Sequence, residues 1–350
     1  MERCLACEAD SVGARREQGR MVWAIPVCVC ALCRDLDYAK KDGYPRHRRK
    51  SVESPQACIT ITLAYHGLAS EAAFHGFRPP LITNHQLLSP MDAAEELQEF
   101  LRPQRPLRNL KREEAILDQA EVSRIVIAPG TENKEEDIAV YRWANGERRV
   151  LLVHGWGGKA AQFFALIGVL RDQGFTVIAF DAPAHGGSSG VFASGPAFAR
   201  AARMVDELHG PFHGVVAHSL GAAGTVIALA QGLKVQRAVL LAPVAFVEPL
   251  LEMFIKLREL PDPLAAKLRE RFAGRYSGGI ISLPLLAKAF QIPALIFHDP
   301  NDGDLPFWHG EAMAQAWPDA KLVPATCAGH WRILRDQAVI DATSGFLKGG

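Results

Sequence analysis

From residue 121 onward, short apolar runs alternate with stretches of helical periodicity, and this rhythm limits the chain to an α/β layer structure. The apolar runs at 149–154, 176–180, 214–217, 237–241, 294–298 and 321–324 are only four to six residues long. They are too short for helices and apolar except at their ends, as strands buried on both faces of a mainly parallel sheet must be. Between them, 159–173, 196–209, 220–231, 307–317 and 331–347 read as helices. Two segments with partial two-residue alternation, 121–128 and 137–143, flank a Pro-Gly turn region and predict an opening hairpin.

The alternation stops after Pro243, and residues 246–290 carry helical periodicity broken by Pro249, Pro261, Pro263, Gly274, Gly278 and Gly279. A helical lid inserted between two strands is the expectation for this segment. The first 120 residues lack the α/β rhythm and divide into an N-terminal extension, 1–80, and a helical lead-in, 81–120. In the lead-in, Ser89 before Pro90 predicts an N-cap and first helical residue for a helix over 93–101, and a second helix is expected over 112–120. The α/β domain then spans 121–350, with the lid at 246–290.

With 39 Lys plus Arg against 38 Asp plus Glu, the net charge is +1, so no global field draws this chain to nucleic acid or to an anionic membrane. The basic clusters at 46–50 and 102–112 lack interleaved aromatics, and no nucleic-acid partner is expected. No apolar run reaches the length of about 18 residues that a spanning helix needs. Residues 21–33 are apolar but are broken by Pro26 and preceded by Glu2, Glu8, Asp10 and Glu17, a poor match to a secretory signal. Of the seven cysteines, five fall within the first 33 residues, which fits a reducing cytoplasm with a local metal or redox feature. Cys4 and Cys7 form one C-x-x-C knuckle and Cys30 and Cys33 a second, separated by 22 residues, slightly wider than the spacing of about 15–20 usual for a four-thiolate zinc site. Cys28 is an extra thiol between them. A structural zinc ribbon over 1–50 and an ordinary flexible extension both remain open.

The chemistry concentrates at 214–224, GVVAHSLGAAG, where a short apolar strand runs into small residues and then a helix. A nucleophile on so sharp a strand-to-helix turn needs small residues two positions to either side, and Ala217 and Gly221 flank Ser219 in that way. Ser219 as a simple helix N-cap would satisfy the same residues. Upstream, VHGWGG at 153–158 follows a buried strand, and its glycines permit the close backbone approach that an oxyanion requires. The expected donors are the backbone N–H groups of Trp156 and Leu220. A phosphate loop is excluded, because Gly158-Lys159-Ala160 lacks both the earlier glycine and the hydroxyl residue of that motif.

A serine hydroxyl is a weak nucleophile until a base takes its proton, and the base needs a third group to orient it. His330 is the only histidine after the last predicted strand, in the small-residue loop 326–329. Three aspartates, Asp299, Asp302 and Asp304, compete for the acid after the 294–298 strand. Asp299 suits an end cap before Pro300 and Asp304 lies nearer the next helix, so Asp302 at the apex is preferred.

These motifs, VHGWGG, FDAPAHGGSSG at 180–190, AHSLG at 217–221, HDPNDGDLP at 298–306 and AGHWRILRD at 328–336, resemble the α/β-hydrolase superfamily, in its esterase-like and lipase-like group, over about 121–350. The departure from the G-x-S-x-G pattern is Ala217 at its first position. The resemblance implies a mainly parallel sheet flanked by helices and a cofactor-independent serine hydrolase. It makes Ser219 the nucleophile, His330 the general base and Asp302 its orienting acid, acting on a small-molecule ester. A thioesterase or amidase would use the same triad, and a non-catalytic binding protein would use the same fold.

Overall fold

The computed structural model describes residues 13–17, 20–27, 59–64, 91–104, 110–127, 136–275, 282–326 and 328–349. The chain divides into two compact units, Met1–Ala72 and Ala73–Gly350. The first contains three strands, β1 (Gly13–Glu17), β2 (Arg20–Val27) and β3 (Ile59–Ala64), paired antiparallel in that order. β1 joins β2 from Gly13 opposite Ala24 to Glu17 opposite Arg20, and β2 joins β3 from Val22 opposite Ala64 to Val27 opposite Ile59.

The second unit is built on an eight-stranded sheet. Its strands are β4 (Glu121–Ile127), β5 (Glu136–Trp143), β6 (Arg149–Val153), β7 (Thr176–Phe180), β8 (Phe212–His218), β9 (Val235–Leu241), β10 (Ala294–His298) and β11 (Ala320–Pro324). They lie in the order β11-β10-β9-β8-β6-β7-β5-β4. β4 pairs antiparallel with β5 and β5 antiparallel with β7, while every pairing from β7 through to β11 is parallel. Such parallel strands survive only where both faces are covered. Residues of β6, β7 and β8 are accordingly buried almost without exception.

One face is covered by α4 (Gly195–His209), α5 (Leu220–Ala230), α8 (Leu283–Ala287) and α9 (Trp308–Ala316), which bring Phe198, Val205, Val226, Leu283 and Met313 against Leu151, Ile178 and Val215. The other is covered by a 3₁₀ turn, Ala160–Phe163, with α3 (Phe164–Asp172) and α11 (Gln337–Lys348), whose Phe163, Ile167, Leu170, Val339 and Leu347 pack on Val150, Leu152 and Val177. α2 (Lys111–Leu117) lies beside this face, anchored where the Trp143 indole N–H donates to the Ile116 carbonyl at 2.8 Å. It is held also by a buried ion pair of 2.8 Å between Glu113 and Lys159.

A smaller helical layer has its own core. α1 (Ala93–Phe100), α6 (Glu248–Leu257) and α7 (Asp262–Arg275) enclose Leu97, Leu101, Leu251, Ile255, Leu268 and Phe272. Phe100 meets the rings of Phe254 and Phe272 edge-on at 5.4 and 5.9 Å, and Arg258 pairs with the buried Glu96 at 3.1 Å. The expected insertion at 246–290 is thus divided: α6 and α7 join α1, whereas α8 packs on the body. The cap of α1 also differs from expectation. Asp92 rather than Ser89 closes the helix, its carboxylate accepting the N–H groups of Ala94 and Glu95 while Glu95 accepts that of Asp92.

The closing helix expected over 331–347 is also broken. α10 (Gly329–Arg332) and a 3₁₀ turn, Ile333–Arg335, precede Asp336, whose extended backbone and side chain on the Val339 N–H start α11 afresh. The consequence is local: His330 sits on a short helix of its own rather than in the loop expected for it.

Candidate active site

β8 delivers the chain directly to Ser219, and α5 begins at the next residue. Ser219 has φ 52° and ψ −120°, a left-handed conformation that costs an L-residue about 1–3 kcal/mol. Neighbouring strand ends hold it there: its N–H donates to the Leu241 carbonyl at 2.9 Å and its carbonyl accepts the Val244 N–H at 3.3 Å. Gly221 permits the turn, because a Cβ at that position would lie 2.1 Å from the His154 carbonyl oxygen and 2.8 Å from that of Val153. The Ser219 hydroxyl makes no capping hydrogen bond to α5, which removes the N-cap reading.

The hydroxyl points instead at His330. Ser219 Oγ lies 3.0 Å from His330 Nε2, and His330 Nδ1 lies 2.8 Å from Asp302 Oδ2. The other carboxylate oxygen, Oδ1, accepts the N–H groups of Asp304 and Leu305 at 2.9 and 2.8 Å. Burial works to raise the Asp302 pKa, but the hydrogen bond and charge of His330 together with these two amides outweigh it and hold the carboxyl below its ordinary range. A carboxylate facing Nδ1 fixes the proton there and leaves Nε2 free to accept from the serine.

Asp299 has a different task. Its Oδ2 accepts the Gly329 N–H at 2.6 Å and its Oδ1 the Asn301 N–H at 2.8 Å, so it braces the turn that carries His330.

Three further histidines surround this chain of hydrogen bonds, and pattern reasoning gave none of them a part in it. His218 Nε2 donates to the His330 carbonyl at 2.9 Å, and its ring lies 4.8 Å from that of His330. His298 Nε2 donates to the Leu305 carbonyl at 2.9 Å and stands 3.5 Å from Asp302 Oδ2. His309 Nδ1 accepts the Ala245 N–H at 3.1 Å. Desolvation lowers the pKa of all three, that of His309 to about 3, which favours the neutral ring in each. The sequence signal for His218 and His298 was their place at the ends of β8 and β10, and His309, within α9, carried none.

Trp156 lies in the loop after β6 and Leu220 opens α5; among the described residues neither backbone N–H donates a hydrogen bond. The loop presses on the serine closely enough that a Cβ on Gly155 would come 2.9 Å from Ser219 Cβ. Behind it, the Asp181 carboxylate accepts the Ala160 and Gly187 N–H groups at 2.7 Å and the Tyr141 hydroxyl at 3.0 Å. A cavity of about 300 Å³ opens beside Asp181, Tyr141 and Lys159, away from Ser219.

Among the described residues, the His and acidic side chains that could hold a metal ion gather at Asp302, Asp304 and His330, with ligand atoms within 4.8 Å of one another. This corrects the expectation of zinc at the N-terminus: the metal-capable group found is C-terminal, and Cys4, Cys7, Cys30 and Cys33 lie outside the described residues. Among the described residues, no helix is long and apolar enough to cross a membrane.

No curated protein matches the sequence. The fold has many solved counterparts. An esterase from Pyrococcus furiosus superposes with a TM-score of 0.51 at 18% identity, covering 71% of this chain and 96% of its own. A bromoperoxidase from Bacillus anthracis gives 0.52 at 15% identity, covering 65% of this chain and 100% of its own. An esterase from Thermogutta terrifontis gives 0.50 at 19%, with 65% and 98% covered. At these identities the likeness is one of fold. The family model described as the alpha/beta hydrolase family matches residues 150–342, from β6 through the first half of α11, and on that match the chain belongs to the alpha/beta hydrolase family.

Proposed function

We propose that this hydrolase cleaves a carboxylic ester of a small molecule through an acyl-enzyme on Ser219. The observation that carries the reading is the continuous relay from Ser219 Oγ to His330 Nε2 and from His330 Nδ1 to Asp302, starting from a serine held at positive φ. Ser219 Oγ attacks the ester carbonyl carbon as His330 Nε2 takes its proton, and Asp302 stabilises the imidazolium that results. The carbonyl oxygen, now negative, is met by the Trp156 and Leu220 N–H groups. His330 returns the proton to the departing alcohol, then deprotonates the water that releases the acid and regenerates Ser219.

The layer of α1, α6 and α7 serves as the cover of this site. Phe246 and Val247, which lead into α6, pack against the body core, and Val247 also contacts the core of the layer. A cover of this kind excludes water from the charged intermediate.

Intact mass after treatment with a fluorophosphonate tests the assignment. One adduct, on the Ser219 peptide, is expected for the natural sequence and none for Ser219→Ala, which keeps a small residue on the turn. A folded protein that takes up no probe, or takes it up elsewhere, overturns the reading. A panel of matched ester, thioester and amide substrates then identifies the leaving group.

A further inference from the structure

Two fully buried histidines outside the relay, His154 and His185, are bound in the same unusual way. His154 Nδ1 lies 2.7 Å from the Gly155 carbonyl, and its Nε2 lies 2.9 Å from the Ala182 amide nitrogen. His185 Nδ1 lies 2.8 Å from the Pro183 carbonyl, and its Nε2 lies 3.0 Å from the Gly157 amide nitrogen. A carbonyl can only accept and an amide N–H can only donate, so each ring carries its hydrogen on Nδ1 and a lone pair on Nε2. The rings stand 4.9 Å apart, with Phe198 edge-on to both at 5.3 Å. Desolvation lowers the His154 pKa to about 4, in keeping with a neutral ring.

The pairs run in opposite directions between two loops. The loop after β6 sends His154 to Ala182, and the loop after β7 sends His185 back to Gly157. Trp156 lies between the gripped points. Its N–H belongs to the same peptide unit as the Gly155 carbonyl, and in a trans peptide the two point opposite ways. That carbonyl is held by His154 Nδ1 and also accepts the Gly158 N–H at 3.0 Å. The following peptide is held through Gly157 by His185.

Building on the ester-hydrolase reading above, we propose that His154 and His185 form a reciprocal two-histidine clasp whose function is to aim the Trp156 N–H at the developing oxyanion. Both are positioning residues: neither touches Ser219, and each acts through the backbone of the loop. An oxyanion donor works only if it is already directed at the charge when the charge forms. A clasp of two side chains, each accepting from the other's loop, supplies that without a side chain entering the substrate space.

The test compares His185→Gln with His185→Asn. The Gln oxygen reaches the place of Nε2 and still accepts the Gly157 N–H, whereas Asn reproduces only the Nδ1 side. Expected are a kcat within about threefold of the natural protein for Gln, and a loss of about 10- to 100-fold in kcat with KM unchanged for Asn. The affinity of an alkyl trifluoromethyl ketone, which forms an oxyanion on the serine, falls in step with kcat for Asn. Equal behaviour of the two variants, or a loss confined to KM, overturns the clasp.

A measurement on the unaltered protein keeps the proposal exposed if Asn fails to fold. The ¹⁵N shifts of both imidazoles should report hydrogen on Nδ1 and none on Nε2, and the opposite tautomer at either ring refutes it. Absence of fluorophosphonate labelling at Ser219 in the natural protein would instead remove the ester-hydrolase reading itself, so the two failures are distinguishable.

Discussion

Replacing Gly221 by alanine should destabilise this protein even though alanine is the better helix former. Gly221 is the second residue of α5, where propensity alone favours Ala by about 1 kcal/mol. Against this, the added methyl would lie 2.1 Å from the His154 carbonyl oxygen, 2.9 Å from its carbon and 2.8 Å from the Val153 oxygen. All three are main-chain atoms at the buried end of β6, and none can rotate aside. Relief requires the loop and the helix to separate by roughly 1 Å, an overpacking cost near the upper end of about 1–3 kcal/mol. The net loss is about 2 kcal/mol, or about 4–8 °C in melting temperature for a unit of this size. The same displacement moves the Trp156 peptide, so fluorophosphonate labelling should slow by about 100-fold. Gly168 in α3 is the control, since nothing lies within 4 Å of its would-be Cβ. Gly168→Ala should raise the melting temperature by about 2–4 °C and leave labelling unchanged. Scanning calorimetry of both variants decides the matter. A Gly221→Ala protein that melts at or above the natural one would refute the claim that close backbone approach, rather than helix formation, dictates this residue.

Asp302→Asn should lower kcat by about 10⁴-fold, because an amide facing Nδ1 no longer fixes the tautomer that the serine needs. Asp299→Asn should cost far less in kcat and act on stability through the Gly329 N–H it accepts; steady-state kinetics with the two effects reversed would reassign the acid. The buried histidines make stability depend on pH. His154 and His309 have folded pKa values of about 4 and about 3, below the ordinary 6.5, so the unfolded chain takes up protons first. Their contribution is complete above about pH 6.5 and is lost as pH falls, on the order of 2 kcal/mol each by about pH 5. Urea unfolding at about pH 7.5 and pH 5 should show this, and His309→Asn, which keeps an acceptor for the Ala245 N–H, should shrink the difference by its own share of about 2 kcal/mol. An unchanged difference would mean that these rings are not held neutral.

The sheet was legible because burial on both faces demands uninterrupted apolar runs. Thr176–Phe180 and Ala294–His298 were bounded to the residue, and the other parallel strands to within two residues at each end. That Ser219, Asp302 and His330 would come together was readable because each follows the end of a parallel strand, in an order set by chain topology. The helical layer was not. α1 and α6 are each amphipathic, but nothing local tells Leu97 that it will meet Leu251. The helix start at Asp336 was hidden for a related reason: apolar periodicity continues through it, and its extended backbone and its side chain on the Val339 N–H break the helix. Proton placement on His154 and His185 was equally invisible, because it depends on which backbone group from another loop faces each nitrogen.

The distance along the chain between the parts of the helical layer bears on how the protein is made. Leu97 and Leu101 leave the ribosome about 150 residues ahead of Leu251 and Ile255, an interval of roughly ten to thirty seconds at ordinary rates of synthesis. Throughout that interval the apolar side of α1 has nothing of its own layer to cover it, while most of the central sheet is emerging. The layer therefore closes only once α6 and α7 have been made, and the nascent chain carries α1 as a sticky segment that a chaperone must shield or that the growing body must shelter until then.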